Sequence, residues 1–196
     1  MSCFLIKEAV DMSKYARVMD VNFWGSVYPT FYAMPHLRRT RGKIVVNAST
    51  TAIMHPPSLS FYAASKSAIL SFYECLRHEL APEISITIAT LGFIDSELTR
   101  GKHLSKKGTI EVDQRIREIS NLHPVMTSND CAKCIVNEAC RGGRYVTEPK
   151  YYGTLMMIRN LCPELLQWYY QKLLNSMYLR DESIHLADTN TRSKET

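Results

Sequence analysis

Two short runs of β-branched residues limit most strongly how this chain can fold. Lys43-Ile44-Val45-Val46-Asn47 reads as a buried strand, and residues 83–90, Glu-Ile-Ser-Ile-Thr-Ile-Ala-Thr, alternate strictly enough to read as a second. Between them, residues from Ser60 to about Ala81 carry helical periodicity that stops at Pro82. A strand, a helix and a strand in that order need a crossover, so the two strands are expected to be parallel neighbours in an α/β sheet.

The remaining segments extend the same pattern. Ser13 is expected to cap a helix running to about His36, with Tyr15, Met19, Phe23, Val27 and Phe31 at helical spacing and a bend at Pro29. Residues 97–127 read as a long polar and basic loop with one amphipathic stretch at residues 110–119. A helix capped by Ser128 or Asn129 follows, then a last strand at Tyr145-Val146-Thr147. The domain plan is residues 1–150 as a partial α/β domain, 151–180 as a C-terminal helical extension rich in aliphatic and aromatic residues, and 181–196 as a polar tail.

Composition narrows the function classes. Net charge is +5, and much of it sits in two stretches, residues 36–43 and 100–107, each beside a glycine. Both read as solvated loop ends, so no nucleic-acid partner is expected. Cys131 and Cys134 have the spacing of half a zinc site, but no second ligand pair follows. They read as small apolar residues on a helix face, and no metal is expected. Six cysteines in a chain of 196 residues do not form a disulfide framework, which suits a reducing compartment. Lys7, Glu8 and Asp11 interrupt the first residues, so no leader is expected there, and no run approaches the roughly 20 apolar residues of a membrane span.

In parallel sheets ligands bind at the carboxyl ends of the strands. Ser49 follows the first strand, Gly92 follows the second, and Tyr62 and Lys66 lie four residues apart on one face of the helix between. A Tyr–Lys pair at that spacing arises by chance roughly 0.6 times in a chain of this composition, so the pair alone carries little. Its placement thirteen residues after Ser49, with Asn22 in the preceding helix, carries more. A positioned Tyr acting on a hydroxyl proton near neutrality needs its pKa of about 10 lowered by two to three units, or about 3–4 kcal/mol, and the Lys66 ammonium is the expected source. Ser49 would hold the substrate oxygen as charge develops on it.

Taken together, Asn22, Ser49, Tyr62, Lys66 and the Leu91-Gly92-Phe93-Ile94-Asp95-Ser96 turn resemble the short-chain dehydrogenase/reductase pattern. Met19-Asp20-Val21-Asn22-Phe23-Trp24-Gly25-Ser26 and Ser60-Phe61-Tyr62-Ala63-Ala64-Ser65-Lys66 look like its 11-beta-hydroxysteroid dehydrogenase-like branch. Residues 141–149 and Leu161-Cys162-Pro163-Glu164 resemble the plant steroleosin members. The resemblance implies the C-terminal part of a Rossmann-like doubly wound parallel sheet followed by C-terminal helices. It also implies NAD(P)-dependent interconversion of a secondary, sterol-like alcohol and a ketone. Asn22, Ser49, Tyr62 and Lys66 would be catalytic, with Ser49 also binding substrate. Tyr62, Lys66, Gly92, Ile94 and Ser96 would contact the cofactor, NADP by resemblance with NAD as the alternative. The implied partners are a small lipophilic alcohol or ketone, a second copy of the chain, and a lipid surface met by residues 151–179. The implied location is a membrane or lipid droplet, with the cytoplasm as the alternative.

The family's glycine-rich turn, which sets the dinucleotide pyrophosphate at a helix N-terminus, has no counterpart in this sequence. Three expectations follow. The sheet would be a three-strand remnant with the first strand at its edge, and marginally stable unless another chain completes it. Dinucleotide affinity would be millimolar or weaker. Beside the enzyme stand two alternatives, an inactive pseudoenzyme and a lipid-surface interaction protein.

Overall fold

The computed structural model describes residues 4–105, 107–121 and 123–175. The polar tail at residues 181–196 and the last five residues of the 151–180 extension lie outside the described residues.

Three parallel strands, β1 (Lys43–Asn47), β2 (Ser85–Leu91) and β5 (Tyr145–Glu148), form one sheet in the order β1-β2-β5. Lys43 pairs with Ser85 and Asn47 with Ala89, while Ile88 pairs with Tyr145 and Leu91 with Glu148. The crossover from β1 to β2 is the 21-residue helix α4 (Ser60–Leu80), and α6 (Ser128–Arg141) precedes β5. Side chains alternate across the sheet. Val46, Ile86 and Ile88 enter a cluster with Ile69, Tyr73, Leu76 and Leu80 of α4, which is the core of the molecule. From the opposite face, Lys43 Nζ donates to the Ala139 and Cys140 carbonyls (2.7 and 2.9 Å) and Thr87 Oγ1 donates to the Gly143 carbonyl (2.6 Å), around the end of α6. Helices thus cover both faces, as in a doubly wound sheet.

The strand at Lys43–Asn47 is less buried than its sequence suggests. Val46 is buried, whereas Val45 is 48% exposed. β1 is an edge among the described strands, and α6 reaches it only near Lys43.

The first helical stretch is more elaborate than one bent helix. Asp11, not Ser13, caps it, with Asp11 Oδ1 accepting from the Ser13 N–H at 3.0 Å. A 3-10 turn (Met12–Tyr15), α1 (Ala16–Met19) and a π-helical turn (Asp20–Trp24) lead into α2 (Gly25–Thr40). α2 continues through Pro29 and Pro35 and passes the expected end at His36, so the irregularity falls before the prolines, at Asn22. The basic stretch at residues 36–43 is therefore a helix end and a strand start, where cations meet the carbonyl-rich terminus of α2. The later helix α6 is capped by Thr127, whose Oγ1 accepts from the Asp130 N–H at 3.1 Å, in place of Ser128 or Asn129. Cys131 on its inner face is buried, Cys134 is half-buried, and Cys140 is exposed.

Residues 97–127 are not a structureless loop. They contain an antiparallel hairpin of β3 (Lys102–Leu104) and β4 (Ile110–Val112) and then α5 (Gln114–Asn121); a shorter helix, α3 (Thr51–Met54), lies earlier, just after Ser49. Positive φ at Gly101 (101°) and Gly108 (77°) makes the two turns that let the segment double back. Two of its basic residues are paired, Arg100 with Asp95 (3.0 Å) and Lys102 with Glu97 (2.6 Å), and His103 is buried.

The chain divides into two compact units, Met1–Met156 and Met157–Thr196. α7 (Tyr151–Leu161) and residues 163–175 are helical. Among the described residues no helix is long and apolar enough to cross a membrane.

One buried cation ties the core helix to the last strand. Arg77, 7% exposed, bonds Glu74 (2.7 Å), the Tyr145 hydroxyl (3.0 Å) and the Arg144 carbonyl (2.9 Å), and its guanidinium lies 4.7 Å from the Tyr145 ring centroid. Arg77→Met keeps the apolar stem but leaves these acceptors unmatched, so it should lower unfolding free energy by about 2–4 kcal/mol in a urea titration. A loss under about 0.5 kcal/mol would show that the network contributes nothing net.

Candidate active site

Residues from four segments meet at the carboxyl end of the sheet. Ser49 leaves the end of β1 and is buried, and Tyr62 and Lys66 occupy the first turns of α4 on one face. Ser49 lies near enough to the Tyr62 phenol for its hydroxyl to favour the ionised form. Ser49 Oγ donates to the Leu91 carbonyl at 3.3 Å and accepts from both the N–H and the hydroxyl of Thr51 (3.2 and 3.0 Å). Lys66 Nζ donates to the Asn47 carbonyl at 2.9 Å and lies 5.8 Å from the Tyr62 ring centroid. The structure thus brings together three residues that sequence spacing singled out.

Asn22 joins them through an intermediary. Its Nδ2 donates to Ser65 Oγ (2.9 Å), and Ser65 Oγ donates to the Tyr62 carbonyl (2.8 Å). Ser65 is fully buried. The π-helical turn at Asp20–Trp24 is therefore tied to the turn of α4 that carries both Tyr62 and Lys66.

Gly92 follows β2, and its N–H donates to the Glu148 carbonyl at 2.8 Å. The ring of Tyr152 lies directly on it, so that a Cβ at Gly92 would collide with Tyr152 Cε2. Ile94 and Ser96 lie farther along, in a turn gathered by Thr99, whose Oγ1 accepts from the Ser96 N–H and donates to the Ile94 carbonyl (2.9 Å each). Sequence reasoning missed Thr51, Ser65, Thr99 and Tyr152. Ser65 had a signal, since it lies between Tyr62 and Lys66 on the helix; Tyr152, sixty residues from Gly92, had none.

Burial governs the electrostatics. It raises the Tyr62 phenol above its ordinary value, with the Ser49 hydroxyl opposing it, and it lowers Lys66 to about 8. Burial first and the Ser49 hydroxyl second are the influences on the Tyr62 phenol here, and the short contact of the Lys66 ammonium is with the Asn47 carbonyl.

The model for short chain dehydrogenase matches residues 4–107. The chain belongs to the short-chain dehydrogenase family. It is 44% identical over 187 residues to an 11-beta-hydroxysteroid dehydrogenase of Pinus massoniana, covering 93% of this chain and 52% of that protein. It is 47% identical over 159 residues to 11-beta-hydroxysteroid dehydrogenase 1A of Arabidopsis thaliana, covering 81% and 46%. The chain spans about half the length of the curated relatives it matches. Among solved structures, a short chain dehydrogenase from Burkholderia cenocepacia in complex with NADP superposes with a TM-score of 0.68 at 22% identity, covering 86% of this chain and 63% of that one. A short-chain dehydrogenase from Streptomyces avermitilis gives 0.66 at 17% identity, covering 88% and 66%. These two likenesses fix the Rossmann-like fold.

Gly92 is thus held to glycine by the chain's own packing. Gly92→Ala should destabilise the fold by about 2 kcal/mol or more, because a buried ring must move. Tyr152→Ala should make the same change at Gly92 nearly neutral, and a double-mutant cycle by denaturant titration would read the coupling. Additive effects would show that the ring yields freely.

Proposed function

We propose that this chain carries the catalytic residues of an NAD(P)-dependent oxidoreductase that interconverts a secondary, sterol-like alcohol and its ketone. The observation that carries this reading is the convergence at the strand ends of Ser49, bonded to the Leu91 carbonyl, and of Lys66, bonded to the Asn47 carbonyl and 5.8 Å from the Tyr62 ring centroid one helical turn away. Family membership and the relatives named as hydroxysteroid dehydrogenases support it.

The residues present decide how a nicotinamide cofactor fits. At the nicotinamide end, Tyr62 offers a hydroxyl and Lys66 keeps two N–H donors beyond the one given to Asn47, enough for a ribose. Gly92 is covered by Tyr152, and the Ile94 carbonyl and Ser96 N–H are bonded to Thr99, so those three are less free. A bound nicotinamide would supply the hydride acceptor or donor. In alcohol oxidation Tyr62 takes the hydroxyl proton, Ser49 holds the oxygen by donating to it, and Lys66 stabilises the phenolate. In ketone reduction Tyr62 returns the proton. Asn22 is a positioning residue that acts on this turn of α4 through Ser65.

Turnover would be measured with the chain joined to the part of the Pinus massoniana relative that it does not span. Tyr62→Phe should cost at least about 10²-fold in rate, and retention of more than half would end the assignment. Lys66→Ala should move the lower limb of the pH–rate profile for oxidation to higher pH, since the phenolate loses its cation.

A second reading, membrane or lipid-droplet association, is favoured by residues 157–175 taken by themselves. Leu161, Leu165, Trp168 and Tyr169 are exposed, and Lys172 Nζ lies 5.1 Å from the Trp168 ring centroid, an arrangement suited to a lipid interface. Co-sedimentation with anionic liposomes at low salt should occur and should fall when Trp168 and Tyr169 are replaced by Ser. Failure of the intact chain to co-sediment would remove this reading.

A further inference from the structure

One hydroxyl outside the residues named by the sequence pattern bonds directly to the Ser49 oxygen. Thr51, the first residue of α3, approaches Ser49 Oγ with both its backbone N–H (3.2 Å) and its Oγ1 hydroxyl (3.0 Å). The Ser49 proton is directed at the Leu91 carbonyl across 3.3 Å, beyond the usual O–H···O range. That carbonyl already accepts a shorter bond, 2.9 Å, from the Thr50 N–H. It is therefore not orphaned if Ser49 turns its proton elsewhere.

We propose that Thr51 is a positioning residue for the reaction, whose two donors hold Ser49 Oγ in place and polarise its O–H so that it donates more strongly to the oxygen it faces. The inference rests on the reading of Ser49 and Tyr62 as the reacting pair. A hydroxyl that accepts hydrogen bonds becomes a better donor, by about 10–30% per bond. The weak bond to Leu91 is the one surrendered when a negatively charged oxygen arrives, while the Thr51 bonds persist and prevent the side chain from swinging away. Thr51 is itself fixed by the turn it begins, in which the Ala52 N–H donates to the Ser49 carbonyl (3.0 Å) and the Met54 N–H to the Thr50 carbonyl (2.8 Å). The chain of donors is Thr51 to Ser49 to the facing oxygen, either substrate or the Tyr62 phenolate. Burial and the Ser49 hydroxyl are the influences on that phenol, with Lys66 the cation beside it on the same helix.

The test reads Tyr62 directly, without turnover. 3-Fluorotyrosine incorporated at position 62 gives one fluorine resonance and a more acidic phenol, whose ionisation is followed by NMR as a function of pH in the full chain. Thr51→Val removes the hydroxyl and keeps the shape and the N–H. It should raise the titration midpoint by roughly 0.3–1 unit, because a weakened Ser49 donor stabilises the phenolate less. Thr51→Ser should keep the original midpoint. Thr51→Ala should repeat the Thr51→Val shift, which covers a failure of the valine variant to fold. In the turnover assay, Thr51→Val should lower kcat by about 5- to 10-fold, the loss of one hydrogen bond, with KM changed by less than about twofold. An unmoved midpoint in both Thr51→Val and Thr51→Ala overturns the proposal, as does a shift that Thr51→Ser fails to restore. If instead Tyr62→Phe keeps its rate while the midpoint moves as expected, the catalytic reading fails and the Thr51-to-Ser49 linkage stands.

Discussion

The packing of α4 against β1 and β2 is the constraint from which the site follows. Ile69, Tyr73, Leu76 and Leu80 recur at three and four residues, so they form one stripe, and Val46, Ile86 and Ile88 meet that stripe from the sheet. Burying these side chains fixes both the rotation and the axial position of α4. Tyr62 and Lys66, one to two turns before Ile69, are thereby set beside the carboxyl ends of β1 and β2. Tyr73 extends the same constraint to α2, because its hydroxyl bonds Thr30 (2.6 Å) and the Ser26 carbonyl (2.8 Å). The π-helical turn with Asn22 is held just upstream, within reach of Ser65.

Strand ends supply the site with backbone acceptors as well as side chains. The Asn47 carbonyl at the end of β1 receives Lys66, and the Leu91 carbonyl at the end of β2 receives Ser49 and Thr50. The cost is visible in the shifted ionisations. Burial favours the neutral form of both Tyr62 and Lys66.

The covering of Gly92 by Tyr152 gives that glycine a structural role distinct from any ligand contact. The same loop is held by the bond from the Gly92 N–H to the Glu148 carbonyl, so β2, β5 and the start of α7 converge there. The hairpin at residues 102–112 is organised differently, by turns at Gly101 and Gly108 and by ion pairs on its surface.

What the sequence determined by itself was the local and periodic part. β-branched runs at Lys43–Asn47 and in β2, the apolar stripe of α4 and the stop at Pro82 are written in neighbouring residues. The order strand–helix–strand then left a parallel sheet as the outcome. The spacing of Ser49, Tyr62 and Lys66 was legible for the same reason, since a strand end and one helix face suffice to bring them together. The caps were misread by one or two positions because Asp11 and Ser13, or Thr127 and Ser128, are chemically interchangeable as caps and only backbone geometry chooses between them. Residues 97–127 were read as a loop because three-residue strands are too short to show alternation. Only the tertiary structure decided the Tyr152 contact with Gly92, the bridge from Asn22 through Ser65, and the direction of the Tyr62 and Lys66 shifts. Each depends on burial or on contact between residues far apart in the chain, and neither quantity has a period that a sequence can carry.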